Sequence, residues 1–266
     1  MRKVHGNVAA LAATLMVSCL PLAAAEWSKS ISTKGASEVV VDVDDGSITL
    51  TAGDANTVGV RVTTKGREIR SGDVSPEASR NGDVVNIRVA VARRSFEWSA
   101  GERWVRTEVR VPPGVKLRAH SGDGSIHADG VKGMLRLSSG DGSIQGNALD
   151  GTLEAETRDG SVSVEGRFDG LHLRTGDGSI RAGISSGSKM TSGWDVSTGD
   201  GSVTLRVPVR FACDLDVHTG DGGVHLSVPI TGRSGRGKQD VFAKVNGGGP
   251  LLRVRTGDGS VNISER

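Results

Sequence analysis

The sequence predicts an all-β fold of stacked coils, a β-solenoid, and three observations predict it. The string Ser/Thr-Gly-Asp-Gly-Ser-Ile/Val recurs with its aspartates at Asp123, Asp141, Asp159 and Asp177, 18 residues apart each time. Looser copies centre on Asp200, Asp221 and Asp258, and an outlying one on Asp45. Apolar and polar residues alternate on both sides of each copy, while Gly is abundant at 39 residues and Tyr is absent. A fixed period marks stacked supersecondary units. Period-two alternation marks strands with one buried face, and frequent glycine marks turns.

Residues 1–25 read as an export leader. Arg2 and Lys3 precede an apolar run over 8–20, and Ala23-Ala24-Ala25 offers a small-residue cleavage site. The run is too short to span a bilayer, and no later stretch is apolar enough for a membrane helix. Cleavage after Ala25 is the expectation. The alternative is a lipoprotein box, Met16-Val17-Ser18-Cys19, with Cys19 acylated. Removing the leader takes the formal charge from +2 to 0, which leaves no electrostatic case for nucleic acid. Cys213 is then the sole cysteine, so no internal disulfide can form and the core must hold the exported chain.

Residues 26–118 are less regular. Runs at 39–50, 58–63, 84–92 and 104–111 each read as strands, and the region is expected to be an N-terminal β cap continuous with the repeat. Residues 119–266 carry the repeat itself. Counting from each aspartate, the plus-three column holds Ile48, Ile126, Ile144, Val162, Ile180, Val203, Val224 and Val261. The minus-four column holds Val41, Ala119, Leu137, Ala155, Leu173, Val196, Val217 and Val254. Near-identical columns favour a β-arc at each corner over a hairpin, because only stacked coils set like above like, at ~4.8 Å. A lone coil buries too little to fold, so neighbours must complete it. Residues 229–249, rich in Gly and basic residues, read as an irregular loop, and 251–263 returns to the pattern and closes the far end.

The export leader, the strand end Val109-Arg110-Val111-Pro112-Pro113-Gly114 and the serial Thr/Ser-Gly-Asp-Gly-Ser-Ile/Val copies together resemble the bacterial putative-adhesin family of exported β-strand-repeat proteins, a domain of unknown function. The likeness covers nearly all of the chain after the leader. It implies a right-handed β-solenoid (β-helix) in the periplasm or cell envelope, and it supplies no catalytic residues. The departures, Arg158 before Asp159, Gly223 after the Asp221 corner and Asp44 before Asp45, touch corners and not ladders.

The corner aspartates Asp45, Asp123, Asp141, Asp159, Asp177, Asp200, Asp221 and Asp258 are expected to be turn architecture. Flanking glycines would supply positive φ, and each carboxylate would accept a backbone N–H two residues on. Calcium held between stacked carboxylates is the alternative, since charges ~5 Å apart repel by about 0.8 kcal/mol in water. The Ser/Thr column at minus two faces inward, with hydroxyls placed to bond along the stack or to the corner. His120 with His127, and His218 with His225, flank two corners, but parity points them outward on opposite sides, which argues against zinc or copper. The run 232–238 mimics a P-loop, yet Gln239 follows it and no helix pattern does. Trp98 and Trp104 fit cap packing, with sugar stacking as the alternative, and Cys213 reads as a buried, inert thiol.

No pattern gathers a nucleophile with a base, so no catalytic, cofactor or metal site is assigned. The expected role is a non-enzymatic, exported, adhesin-like scaffold that contacts envelope protein or polysaccharide. The alternatives are a glycan-active β-helix enzyme, a lyase or hydrolase, and a calcium-stabilised surface binding module.

Overall fold

The computed structural model describes residues 25–34, 36–69, 72–92, 103–235 and 239–266. The expected leader up to residue 24 with Cys19, Trp98, and the loop residues Arg236 and Lys238 lie outside them.

Strands fall into two layers around one core. The first layer holds the strands that lead into corners: β2 (Glu38–Val43), β8 (Lys116–Ser121), β10 (Lys132–Ser139), the later halves of β11 (Ile144–Thr157) and β12 (Val162–Thr175), β14 (Trp194–Thr198), β20 (Leu251–Thr256) and β16 (Cys213–Thr219). The second holds those that leave them: β3 (Ser47–Ala52), β9 (Ile126–Asp129), the early halves of β11 and β12, β13 (Ile180–Ile184), β15 (Val203–Val207), β21 (Val261–Glu265) and β17 (Val224–Ser227). β11 and β12 pass from one layer to the other at the edge away from the corners.

Within each layer the rungs pair in parallel. The plus-three column runs Ile48, Ile126, Ile144, Val162, Ile180, Val203, Val261, Val224 as one unbroken set of partners. The minus-four column does the same through Val41, Ala119, Leu137, Ala155, Leu173, Val196, Val254 and Val217. All but Val224 of these residues are buried, which fixes the register, because a one-residue slip would turn every apolar side chain to water.

The expected right-handed β-solenoid is not what the chain forms. A solenoid lays each coil on the one before it in sequence, and here that order breaks at both ends. β2 lies between β6 (Val84–Val91) and β8, and β3 lies between β7 (Trp104–Val111) and β9. At the other end β20 wedges between β14 and β16, and β21 between β15 and β17. Antiparallel strands finish both ends. β4 (Thr57–Lys65) joins β7 to β1 (Ala25–Ser32), and β5 (Val74–Asn81) covers β6. β19 (Asp240–Val245) covers β16 and carries β18 (Ile230–Ser234), so most of the segment read as an irregular loop at 229–249 is an antiparallel pair. Periodicity reports which residues share a column. It carries no information on the order in which rungs were laid down.

Candidate functional site: the corner edge and the outer faces

Three rows of hydrogen bonds stack the corners. In the backbone row, from Asp141 onward the N–H before each aspartate donates to the equivalent carbonyl of the neighbouring rung: Gly140 to Gly122 at 2.7 Å, Gly199 to Gly176 at 2.6 Å and Gly257 to Gly199 at 2.6 Å. In the second row, the buried Ser/Thr at minus two bonds both ways, as its inward register predicts. Thr175 Oγ1 accepts from Gly178 N–H at 3.3 Å and donates to the Gly160 carbonyl at 2.7 Å. Ser139, Thr198, Thr219 and Thr256 repeat the pattern. In the third row, the serine hydroxyls of Ser125, Ser143, Ser161, Ser202 and Ser260 accept the N–H one rung on, as Ser125 does from Ser143 at 3.2 Å.

The glycines serve close approach rather than the left-handed backbone expected of them. Gly142, Gly160, Gly178, Gly201 and Gly259 do not have positive φ. A Cβ on Gly160 would stand 2.3 Å from the Gly142 carbonyl oxygen, and one on Gly178 2.1 Å from that of Gly160. Only Gly46 among the corner glycines has positive φ, at 143°.

The structure places the eight aspartates at the corner tips, all exposed, in the spatial order Asp45, Asp123, Asp141, Asp159, Asp177, Asp200, Asp258, Asp221. None accepts a backbone hydrogen bond among the described residues; the Ser/Thr column holds the corner instead. Arg158 lies 3.5 Å from Asp141, and Arg67 lies 3.8 Å from Asp45. Among the described residues no group of three or more His, Cys, Asp or Glu is arranged to hold a metal ion. The histidine pairs stay apart. His120 meets Ser138 at 3.0 Å and His218 meets Asp240 at 2.5 Å on the first layer, whereas His127 and His225 sit on the second.

The outer face of the first layer is a lattice of opposite charges one rung apart. Arg118 reaches Glu38 at 2.8 Å, Arg136 reaches Glu154 at 3.0 Å, Arg88 pairs with Asp42 and Asp44, and Asp216 takes Arg253 at 3.6 Å and Arg255 at 3.3 Å. The outer face of the second layer carries Thr49, His127, Gln145, Ser163, Arg181, Thr204, Asn262 and His225, one per rung. A shallow recess of about 250 Å³ there is lined by Ser163, Glu165, Arg181, Gly183, Thr204 and Arg206, with Arg266 paired to Glu165.

At the edge away from the corners, Arg167 holds Asp150 at 2.5 Å and grips both oxygens of Asp169 at 2.6 and 2.9 Å. The hydrogen bonds from Arg167 hold the Asp169 carboxyl below the usual range, and the two carboxylates hold the guanidinium above its own. Sequence reading missed this cluster, although Asp150 and Arg167 stand near one period apart. Burial pushes the Cys213 thiol up to about 12, which keeps it unreactive. Trp194 packs against Phe211 with centroids 5.4 Å apart and the rings tilted by 38°, and Trp104 carries Arg106 over its ring at 5.2 Å. The P-loop-like run begins inside a strand, β18, and has no helix to follow. No helix among the described residues is long and apolar enough to cross a membrane.

A family profile described as Toastrack DUF4097 matches residues 28–264. The match, with the rung order above, replaces the expected right-handed β-solenoid by a toastrack-type all-β fold. No curated protein matches the chain. Similar solved structures include a putative cell adhesion protein from Clostridium sporogenes ATCC 15579, 13% identical, covering 92% of this chain and 100% of that one with a TM-score of 0.45. A putative adhesin from Bacteroides fragilis NCTC 9343 is 9% identical over 93% of this chain and 100% of its own, with a TM-score of 0.41. A putative lipid binding protein from Parabacteroides distasonis ATCC 8503 is 11% identical over 90% and 96%, with a TM-score of 0.38. At these TM-scores none of the three carries an argument about this chain.

Proposed function

The chain belongs to the toastrack DUF4097 family, and from that premise we propose that it is a non-enzymatic scaffold of the cell envelope, exported by its leader, that contacts an extended polymer along its outer faces. One observation carries the reading: polar side chains repeat one per rung along the second layer, and the shallow recess among them holds Arg181, Arg206 and an Arg266–Glu165 ion pair with no nucleophile paired to a base. An enzyme needs acid, base and positioning groups gathered at one point. Here the charged groups of the first layer neutralise one another rung by rung, and the second layer presents a row of Thr, His, Gln, Ser, Arg and Asn. Such a row suits many weak contacts along a polysaccharide or an extended protein segment. The corner aspartates act in this reading as solvated turn tips that keep the edge soluble.

The test is co-sedimentation of the chain lacking residues 1–25 with purified, insoluble bacterial cell-wall polysaccharide. Binding that weakens on Gln145→Ala and Asn262→Ala together, with no shortening of the polymer, supports the reading. Depolymerisation of a uronate polymer, abolished by one outward substitution, overturns it in favour of a glycan-active enzyme.

A further inference from the structure

The two ends of the stack are closed differently. At the N-terminal end both layers finish in antiparallel strands, β1 beyond β4 and β5 beyond β6. Side chains stitch their backbones together: Lys29 Nζ donates to the Ala78 carbonyl at 2.7 Å, and Arg80 Nη1 to the Ser32 carbonyl at 3.2 Å. At the other end the first layer is covered by β19, and Gln239 Nε2 donates to the Gly220 carbonyl, the acceptor that a further rung would have used. The second layer stops at β17, whose partner among the described residues is β21 alone.

Among the described residues the edge of β17 is therefore bare, and its chemistry is readable from the ladder. In each earlier rung the plus-three N–H donates to the next rung, as Val203 does to the Ser260 carbonyl and Val261 to that of Gly223, both at 3.0 Å. The N–H of Val224 points the same way and meets no acceptor among the described residues. By alternation Leu226 presents its N–H and C=O on the same side. Val224 and Leu226, both partly exposed, lie on this edge strand, and Val228 and Ile230, also partly exposed, follow it in the chain. Lys29 and Arg80 protect the N-terminal edges in the usual manner for exposed strands. Among the described side chains none makes such a contact across β17.

We propose that β17 accepts one added strand from a partner protein, an extended peptide segment with apolar residues at alternate positions. A second copy of this chain fits less well. Four residues offer about 13 Å of edge, a seam too short by itself to bury the roughly 1,200 Å² that a stable interface between folded proteins needs. A peptide strand needs no such area, because main-chain hydrogen bonds supply its affinity and alternate side chains its specificity. Gly223, which stands where other rungs have serine, removes the hydroxyl that would bond a further corner. The occupant is thus a strand and not a complete rung. The site lies apart from the outer faces and does not depend on what they bind.

The probe is a dye-labelled heptapeptide with the sequence of residues 201–207, Gly-Ser-Val-Thr-Leu-Arg-Val, which within the fold pairs in this same layer. It is titrated into the chain lacking residues 1–25 and followed by anisotropy, with amide exchange measured in parallel. We expect the Val224 and Leu226 amides to exchange freely in the unliganded chain and to slow at least about tenfold with peptide. Leu226→Pro removes an outward N–H without touching the β21 ladder and should weaken binding about tenfold or more. Amides already protected in the dilute free chain overturn the proposal, as does equal binding by Leu226→Pro. Protection that rises with protein concentration alone assigns the edge to a second copy and overturns it too. Absence of both binding and protection at millimolar peptide does the same, and the exchange result on the unaltered chain stands even where the proline variant fails to fold.

Discussion

Along the corner edge the rungs repeat one five-residue device with few departures; along the opposite edge they return in several different ways. From Ser121 onward each inward hydroxyl at the corners donates to a carbonyl of the neighbouring rung, and glycines let neighbouring backbones approach to distances that no Cβ would survive. At the far edge β11 and β12 run straight through, Ala148 takes a φ of 49°, and the rungs of β13 and β15 end in unlike loops. What holds that edge is local, the Arg167 cluster and the tilted Trp194–Phe211 ring contact. The difference separates two tasks. The corner edge specifies which residues stack, while the far edge only has to return the chain, so it tolerates variety and charge.

The largest effect should come from the shared core on which both edges depend. Ile144→Asp places an unpaired charge in a fully buried ladder position between Ile126 and Val162. Loss of the cooperative transition in thermal melts is expected, and a mild shift would contradict the register. Gly160→Ala comes next. Its Cβ would meet the Gly142 carbonyl carbon and oxygen at 2.5 and 2.3 Å and the Ser143 nitrogen at 2.8 Å, all backbone. A cost of about 3 kcal/mol or more is expected in urea unfolding, at the top of the overpacking range. Gly187→Ala, in open surroundings at the far edge, should cost much less even though its φ is 87°. Similar costs for the two would dissolve the contrast between the edges.

A middle-sized effect sharpens the assignment of the corner to its hydroxyls. Thr175→Val keeps shape and leaves the Gly178 N–H and the Gly160 carbonyl without their partner. About 2 kcal/mol of destabilisation is expected, with Thr175→Ser restoring most of it. Both variants can be read by chemical denaturation.

Much of this was legible in the letters. Reading the columns by twos places Ile144, Ala155 and Thr175 inward, and the structure buries all three. Opposite charges one period apart, Arg136 with Glu154 and Glu156 with Arg174, signal the ion pairs of the first layer. The corner's prominent letter misleads, because Asp is the tip and its quieter Ser/Thr neighbour does the bonding. Glycine also misleads, since its frequency in turns suggests positive φ when the actual demand is the narrow gap between rungs. The interleaving of β20 and β21 left no trace, because a column has no memory of chain order. The pair β18 and β19 hides in a Gly-rich stretch for want of the repeat that marks the other strands.

A smaller effect belongs to the far edge and is read by acid. The Asp169 carboxyl is held low chiefly by its hydrogen bonds to Arg167. A lowered folded-state value means that the stabilisation is present above the ordinary carboxylate range, near ~4, and is lost as pH falls through the lower folded value. Asp169→Asn should therefore cost something under about 1 kcal/mol at pH 6, given that the pair is about a third exposed. The gap between variant and parent should close in melts taken toward pH 2. A gap that stays constant with pH would mean that packing, not charge, is what Asp169 contributes.

The smallest expected effect bears on the most conspicuous residues. Asp177 is exposed and lies between Asp159 and Asp200 along the edge. Repulsion from each neighbour at ~5 Å is about 0.8 kcal/mol in water before salt reduces it. Asp177→Asn relieves that repulsion and removes no backbone hydrogen bond, so the melting temperature should stay level or rise slightly. A chelator should leave the unaltered chain's melting temperature where it was. Were calcium seated between the carboxylates, both signs would reverse: the variant and the chelated chain would each melt earlier, and added calcium would restore only the latter. The two measurements together thus decide whether the acidic edge is a solvated tip on a hydroxyl-bonded frame or a part of the frame itself.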